Sequence, residues 1–252
     1  MVTFQQIYRF STVVAETEDY QHHHQEEMRS RYDSNFIEWL KIPTLQRLKE
    51  IEMYQKSYHL ERGQEHLKWI FPADEELPVA LKEYLQEQGY LMTWRELYAI
   101  DPMLFQGNIQ GNAKIQFVDT QTFPHYAALQ YEGDLCYGEE FAQQKQWLLQ
   151  QNQQNPSIHQ VIAVLANRIV GSLDLIEAAT TIEIDNFFVL EEYQRKGIGS
   201  AMQRFVANQF ANKTIILIAE GEDTAKDMYR KQGYVYHGKR YEATKMPANI
   251  KE

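Results

Sequence analysis

At 252 residues, with 44% hydrophobic and 13% aromatic content, the chain can bury one large core or two modest ones, and wholesale disorder is excluded. Its 35 acidic residues against 25 Lys and Arg leave a formal charge of −10. That balance opposes a nonspecific nucleic-acid partner, which needs a basic face, and suits a cationic substrate such as an amine. The lone cysteine, Cys136, cannot form an internal disulfide, the start lacks the basic and apolar regions of a signal peptide, and no apolar run approaches the ~20 residues of a membrane span. A soluble, cytoplasmic protein without membrane or nucleic-acid partners is expected.

In the first half, His22-His23-His24 reads as a solvated run, because consecutive histidines do not all face one ion and no second Cys or His cluster accompanies them. No metal site is expected. Asn35–Ile42 reads as a strand, Thr44–Leu60 as a helix and Leu67–Phe71 as an apolar strand, followed by an acidic segment and a short helix ending at Gly89. Trp39, Tyr54, Tyr58, Trp69 and Trp94 are expected mostly in the core, although such rings could also line a cleft. The stretch Phe105-Gln106-Gly107-Asn108-Ile109-Gln110-Gly111-Asn112 has linker chemistry, which divides the chain into domains 1–108 and 109–252.

After that boundary, Ala113–Val118 is a short strand pattern, and Glu139–Gln151 is the helical part of a polar and aromatic stretch running from Thr120 to Asn152. Val161–Ala166 reads as a central strand, with Asn167-Arg168 as a hairpin turn into Ile169–Ile176. Thr181–Leu190 alternates as a strand, Gly199–Phe210 is an amphipathic helix, and Thr214–Ala219 is a buried strand. A helix capped by Asp223 or Thr224 ends at Gly233, and Tyr234–Thr244 closes in strand form. The predicted order is β, α, β, β, β, α, β, α, β: an α/β (α+β) layer with a mixed sheet. Gln88-Gly89-Tyr90 and Gln232-Gly233-Tyr234, each after an apolar strand and an acidic segment, suggest that the two halves repeat one fold.

The chemistry concentrates at Gln194-Arg195-Lys196-Gly197-Ile198-Gly199-Ser200, where a strand meets a helix. A helix N-terminus directs backbone N–H groups outward, glycines permit close approach by an anion, and Arg195 and Lys196 add charge. The ligand implied is a diphosphate. Met202 stands where a dinucleotide fold would place its third glycine, and the Gly-Lys-Ser/Thr of a Walker loop is absent.

These residues resemble the acetyl-CoA signature of the GNAT N-acetyltransferases, Gln/Arg-x-x-Gly-x-Gly/Ala. Ala225-Lys226-Asp227-Met228-Tyr229-Arg230-Lys231-Gln232-Gly233-Tyr234 is similar to the family's Ala-x-x-x-Tyr-x-x-x-Gly-Phe/Tyr segment. The resemblance spans about Ala113 to Lys245. It implies a mixed, mostly antiparallel sheet flanked by helices, with acetyl-CoA as co-substrate. By the same resemblance, Arg195–Ser200 hold the pyrophosphate, the backbone of Val189 and Leu190 pairs with the pantetheine arm, and Tyr229 is the general acid. Glu183 and Asp185 share one face of their strand and are candidate bases; a reaction with no protein base stays open. His237 is a further, weaker candidate for the acceptor pocket, and Cys136 has no motif to support a nucleophilic role.

In the first half, the corresponding join, Lys41-Ile42-Pro43-Thr44-Leu45-Gln46, has no glycine, and Leu85 stands at the place of Tyr229. The sequence therefore reads as a tandem GNAT-like protein with a degenerate first half. Its expected reaction is transfer of acetyl from acetyl-CoA to a primary amine of a small molecule or peptide. Two alternatives are a non-catalytic acyl-CoA-binding module and a tandem-GNAT aminoacyl transferase; the acidic charge opposes the second. Nothing in the sequence fixes the acceptor or an oligomeric state.

Overall fold

A computed structural model describes residues 1–107, 112–221 and 225–247. Its elements in chain order are β1 (Thr12–Glu16), β2 (Tyr20–His24), β3 (Phe36–Trp39), α1 (Leu45–Leu60), β4 (Leu67–Ile70), α2 (Val79–Glu87) and β5 (Leu91–Ile100). There follow β6 (Lys114–Phe117), α3 (Phe123–Asp134), α4 (Glu139–Gln154), β7 (Ile158–Leu165), β8 (Arg168–Glu177), β9 (Thr181–Val189), α5 (Ile198–Gln209), β10 (Thr214–Glu220), α6 (Ala225–Lys231) and β11 (Val235–Lys245). Asp223 and Thr224, expected to cap α6, lie outside the described residues, as do Asn108–Gly111 of the expected linker.

The chain forms two compact units, one of Arg9–Glu96 with the chain from Gly238, the other of Met1–Tyr8 with Leu97–His237. The division therefore does not fall between residues 108 and 109. Strands β5 and β11 each pass from one unit into the other, and Phe105 is a buried core residue whose carbonyl accepts from Arg204 at 2.6 Å. The expected linker, Phe105–Asn112, falls within the second of these units.

In the N-terminal unit the strand order is β1–β2–β3–β4–β11, antiparallel except for the parallel β3/β4 pair. Helix α1 buries Leu48, Ile51, Gln55 and His59, a stripe at helical spacing. Trp39 and Trp69 belong to its core, and the Trp69 indole donates to Gln55 Oε1 at 2.8 Å. The three histidines are not a solvated run: His22, His23 and His24 are all buried. Strand β2 is paired on both edges, and successive side chains face opposite sides of the sheet. His22 and His24 face Tyr58 and His59 of α1, while His23 stacks on Phe36 with centroids 4.5 Å apart. Among the described residues, no group of three or more His, Cys, Asp or Glu is placed to hold a metal ion.

In the C-terminal unit the order is β5–β10–β9–β8–β7–β6, antiparallel in the pairs from β6 to β9, while β9 and β10 run parallel. Ile182 and Ile184 of β9 pack with Ile198, Met202 and Val206 of α5, and Tyr126 of α3 and Leu149 of α4 meet Ile162 of β7 in a second cluster. Helix α3 was hidden in the sequence because its buried stripe, Tyr126, Gln130 and Asp134, is largely polar. The β7–β8 turn lies one residue earlier than expected. Ala166 and Asn167 both take left-handed conformations, φ 49° and 63°, and Leu165 pairs with Arg168.

Each unit contains the same run of strand, helix, parallel strand and helix: β3-α1-β4-α2 and β9-α5-β10-α6. Both runs stop at a left-handed glycine, Gly89 at φ 76° and Gly233 at φ 99°. The N–H of Tyr90 then reaches the Leu85 carbonyl at 2.9 Å, and that of Tyr234 reaches Tyr229 at 3.0 Å.

Candidate active site

Strand β9 pairs with β10 from Thr181/Thr214 to Ile184/Leu217. Beyond that register β9 continues to Val189 and β10 to Glu220, so two parallel strands part at Asp185. A local irregularity lies at the same place. Asn186 is left-handed at φ 48°, and the β8/β9 register shifts between Ser172 and Asp174. A bulge of this kind bends a strand and re-aims its side chains.

The loop after β9 approaches α5 through two left-handed residues, Arg195 at φ 58° and Gly197 at φ 80°. Gly197 is the N-cap of α5, so no capping side chain takes up the first-turn N–H groups of the helix. Gln194, Arg195 and Lys196 are exposed, Gly197, Gly199 and Ser200 are half-buried, and Ile198 is anchored in the core. The Gln194 side chain donates to the Val189 carbonyl at 2.9 Å, and Lys196 Nζ donates to the Glu192 carbonyl at 2.7 Å. These bonds tie the loop back onto the strand that precedes it. Leu190 donates its N–H to the Val170 carbonyl of β8 at 2.9 Å. Gly199 has a packing role, since a Cβ there would sit 3.3 Å from the Phe187 ring.

Tyr229 lies on α6 with its ring in the core beside Tyr98 and Tyr234, 6.2 and 5.5 Å between centroids. Burial pushes the Tyr234 phenol well above its usual range, which keeps that neighbour protonated. Between Ser200 and α6 an open cavity of 590 Å³ is lined by Gln106, Gly107, Asp227, Met228, Lys231 and Gln232.

The two candidate bases differ in position. Glu183 stands before the parting, opposite Ile216, and accepts the Tyr8 N–H at 2.8 Å. Asp185 is half-buried at the parting itself, opposite Asp174 of β8. Asp174 was missed in the sequence. It is 3% exposed, and burial together with the Asp185 charge pushes its carboxyl up to about 6. No pattern within β8 distinguishes it; its partners lie 48 and 12 residues away.

A model of the acetyltransferase (GNAT) domain matches residues 124–248. The chain belongs to the GNAT family. Residues 2–98 of this GNAT protein match a domain of unknown function (DUF5613). A functionally unknown conserved protein from Staphylococcus epidermidis is similar over 97% of both chains, at 32% identity and a TM-score of 0.89. A GCN5-related N-acetyltransferase from Kribbella flavida shares the fold over 95% of this chain and 91% of its own, at 14% identity and a TM-score of 0.62. A tandem GNAT protein from the clavulanic acid biosynthesis pathway shares it over 85% and 76%, at 7% identity and a TM-score of 0.52. No curated protein gives a significant match. The GNAT fold thus runs beyond the matched domain, and the first half is its degenerate copy. Among the described residues, no helix is long and apolar enough to cross a membrane.

Proposed function

We propose that this GNAT protein moves an acetyl group from acetyl-CoA to a primary amine of a small molecule or peptide. One observation carries the reading: β9 and β10 part at Asp185, and the same strand leads through one loop to the uncapped, left-handed start of α5 at Gly197. An extended thioester arm can lie along the backbone of Val189 and Leu190, while its pyrophosphate meets the N–H groups of Arg195–Ser200. For the arm to pair with Val189, the Gln194 side chain must release that carbonyl. The cavity beside Ser200 takes the nucleotide end, with Lys231 as a cation on its wall.

The amine nitrogen bonds the acyl carbon and the C–S bond breaks. Sulfur leaves with the electron pair and takes a proton from the Tyr229 hydroxyl. The proton shed by nitrogen goes to a carboxylate on the β9 face, Asp185 at the opening or Glu183 behind it. A chain of charge −10 favours a cationic acceptor.

Calorimetric titration with acetyl-CoA tests the reading, comparing the native chain with Gly197→Trp. The native chain is expected to bind in the micromolar range and the variant to lose binding, because φ 80° and close backbone approach both exclude an indole. A folded native chain that does not bind acetyl-CoA sinks the assignment.

A further inference from the structure

Strand β9 changes sides at its bulge. Ala178, just past β8, donates to the Thr181 carbonyl at 2.9 Å, so the backbone of Thr181 faces β8. Successive residues of a strand turn their N–H and C=O groups to alternate edges. That alternation places Glu183 and Asp185 toward β8 and would place Val189 there too. Instead Leu190 donates to the Val170 carbonyl of β8 at 2.9 Å. The alternation has slipped by one residue, at the point where β9 takes three steps, Asp185 to Phe188, against two on β8, Ser172 to Asp174. The side chains record the same slip. Ile182 and Ile184 lie in the core beneath α5, and beyond the bulge it is Phe187 and Val189 that pack against that core. Val189 consequently turns its backbone away from β8, to the edge from which β10 has parted, where its carbonyl is met by the Gln194 side chain at 2.9 Å. Without the extra residue that carbonyl would face β8.

Asn186 sits at the slip, with φ 48°. Left-handed backbone is costly for a residue with a Cβ, and asparagine tolerates it better than most. A clamp of side chains holds it there. The Asn186 amide nitrogen donates to Gln130 Oε1 at 3.0 Å and to Asp174 Oδ2 at 3.4 Å, one hydrogen for each. The acceptors are themselves fixed: Gln130 donates to Ser172 Oγ at 2.8 Å, and Asp174 Oδ1 accepts the Tyr126 hydroxyl at 2.9 Å. Tyr126 and Gln130 lie one turn apart on α3, and Ser172 and Asp174 flank the bulge on β8. All four are 4% exposed or less. Apolar side chains would hold α3 against β8 without the cost of burying polar groups. Only a polar set grips one particular backbone conformation.

We propose that Gln130 and Asp174 are positioning residues of the cofactor opening: through Asn186 they hold β9 in its slipped register, so that Val189 presents its backbone to the thioester arm. This rests on the acetyl-transfer reading and adds to it the residues that aim the strand. The two ends of the cofactor are then held by separate devices. Its pyrophosphate meets the start of α5, which the clamp does not touch, whereas its arm depends on the direction in which Val189 faces.

The test is calorimetric titration of the full chain with two ligands, acetyl-CoA and 3′-phosphoadenosine 5′-diphosphate, which is the cofactor's nucleotide without its arm. The variants are Asn186→Gly, Asn186→Ala, Gln130→Leu and the double variant Gln130→Leu/Asn186→Gly. Glycine and alanine at 186 lose the same two hydrogen bonds, but only glycine takes a left-handed φ freely. Asn186→Ala should therefore bind acetyl-CoA about tenfold more weakly than Asn186→Gly. Gln130→Leu should weaken acetyl-CoA about fivefold in the native background and less than about twofold beside Asn186→Gly, where the turn no longer needs a clamp. The arm-free nucleotide should bind all five proteins within about twofold, which general loosening of the fold would not allow. Three results overturn the proposal: alanine and glycine at 186 binding acetyl-CoA alike, Gln130→Leu acting equally in both backgrounds, or the two ligands weakening in step. A folded native chain that binds neither ligand sinks the acetyl-transfer reading and this inference with it.

Discussion

Lowering the pH from 7 to 5 acts first on the N-terminal unit, through histidines packed where their charged forms are penalised. Burial, with neighbouring cations and imidazoles adding to it, holds His22 and His66 down to about 3 and His23 and His59 to about 4; His24 is lowered as well. Each of the first four is 5% exposed or less. A base whose folded pKa lies below its unfolded value near 6.5 keeps its full contribution to stability above 6.5. It loses that contribution as pH falls toward 3–4, because the unfolded chain binds the proton first. Each such histidine therefore costs about 1.4 kcal/mol per pH unit, about 2 kcal/mol at pH 5, and the four together about 8 kcal/mol. That rivals the whole stability of a typical domain, about 5–15 kcal/mol. Urea unfolding at pH 7.0, 6.5, 6.0, 5.5 and 5.0 measures it, read by tryptophan fluorescence, since Trp39, Trp69 and Trp94 all lie in this unit. The expected slope of stability against pH approaches four protons below pH 6. His22→Phe should lower it by about one proton, since the ring already packs against Tyr54 and Tyr58. A slope below one proton between pH 6 and 5, or resonances of the His22, His23, His59 and His66 imidazoles in the folded chain titrating near 6.5, would refute the reasoning.

Two further substitutions probe the C-terminal unit. Tyr229→Phe keeps the ring contacts with Tyr98 and Tyr234 and removes the proton donor. Turnover should fall by about 10²–10⁴ while calorimetric affinity for acetyl-CoA stays within threefold; unchanged turnover would remove Tyr229 from the chemistry. Gly171→Ala places a Cβ 2.8 Å from the Phe188 carbonyl and 3.3 Å from Val189 Cα, where backbone must yield. A loss of about 1–3 kcal/mol in urea unfolding is expected, with weaker acetyl-CoA binding because β9 is displaced; an unaltered midpoint would show that β8 can move away without cost.

Most of the elements were legible because their periodicity survives in the apolar residues. The run Thr214–Ala219 and the stripe Met202, Val206 and Phe210 state their period openly, and β10 and α5 lie where that period puts them. Helix α3 and the histidine strand were not legible for one shared reason: their buried positions carry polar side chains, Gln130 and Asp134 in one and His22 and His24 in the other. Polar side chains can be buried when their partners are supplied by other elements, as Ser172 supplies Gln130 and Tyr54 supplies His22. Those partners are remote in sequence, so a local window cannot see them. The turn into α5 at Gln194–Ser200 was legible because its glycines and the helix start they mark are local in sequence. Asp174 was not, because its significance comes from a register with Asp185 that exists only once β8 and β9 are paired.

A similar contrast separates the two joints at which a strand meets a helix, and it supports the proposed anion site at only one of them. At the start of α1, Thr44 at φ −69° accepts the Arg47 N–H on its own hydroxyl at 3.2 Å, so the chain itself satisfies a first-turn donor. The nearby cations are also committed, Lys41 to Asp19 at 2.7 Å and Arg47 to Asp19 at 2.9 Å. At the start of α5, Gly197 has no side chain to offer, and its left-handed φ turns the loop so that the first-turn N–H groups stay available. Arg195 and Lys196 stand exposed beside them. A helix that caps itself has no need of a ligand, and one that starts on glycine leaves its donors for one. Glycine at one joint and threonine at the other are the difference in first-turn chemistry on which the proposed cofactor site rests.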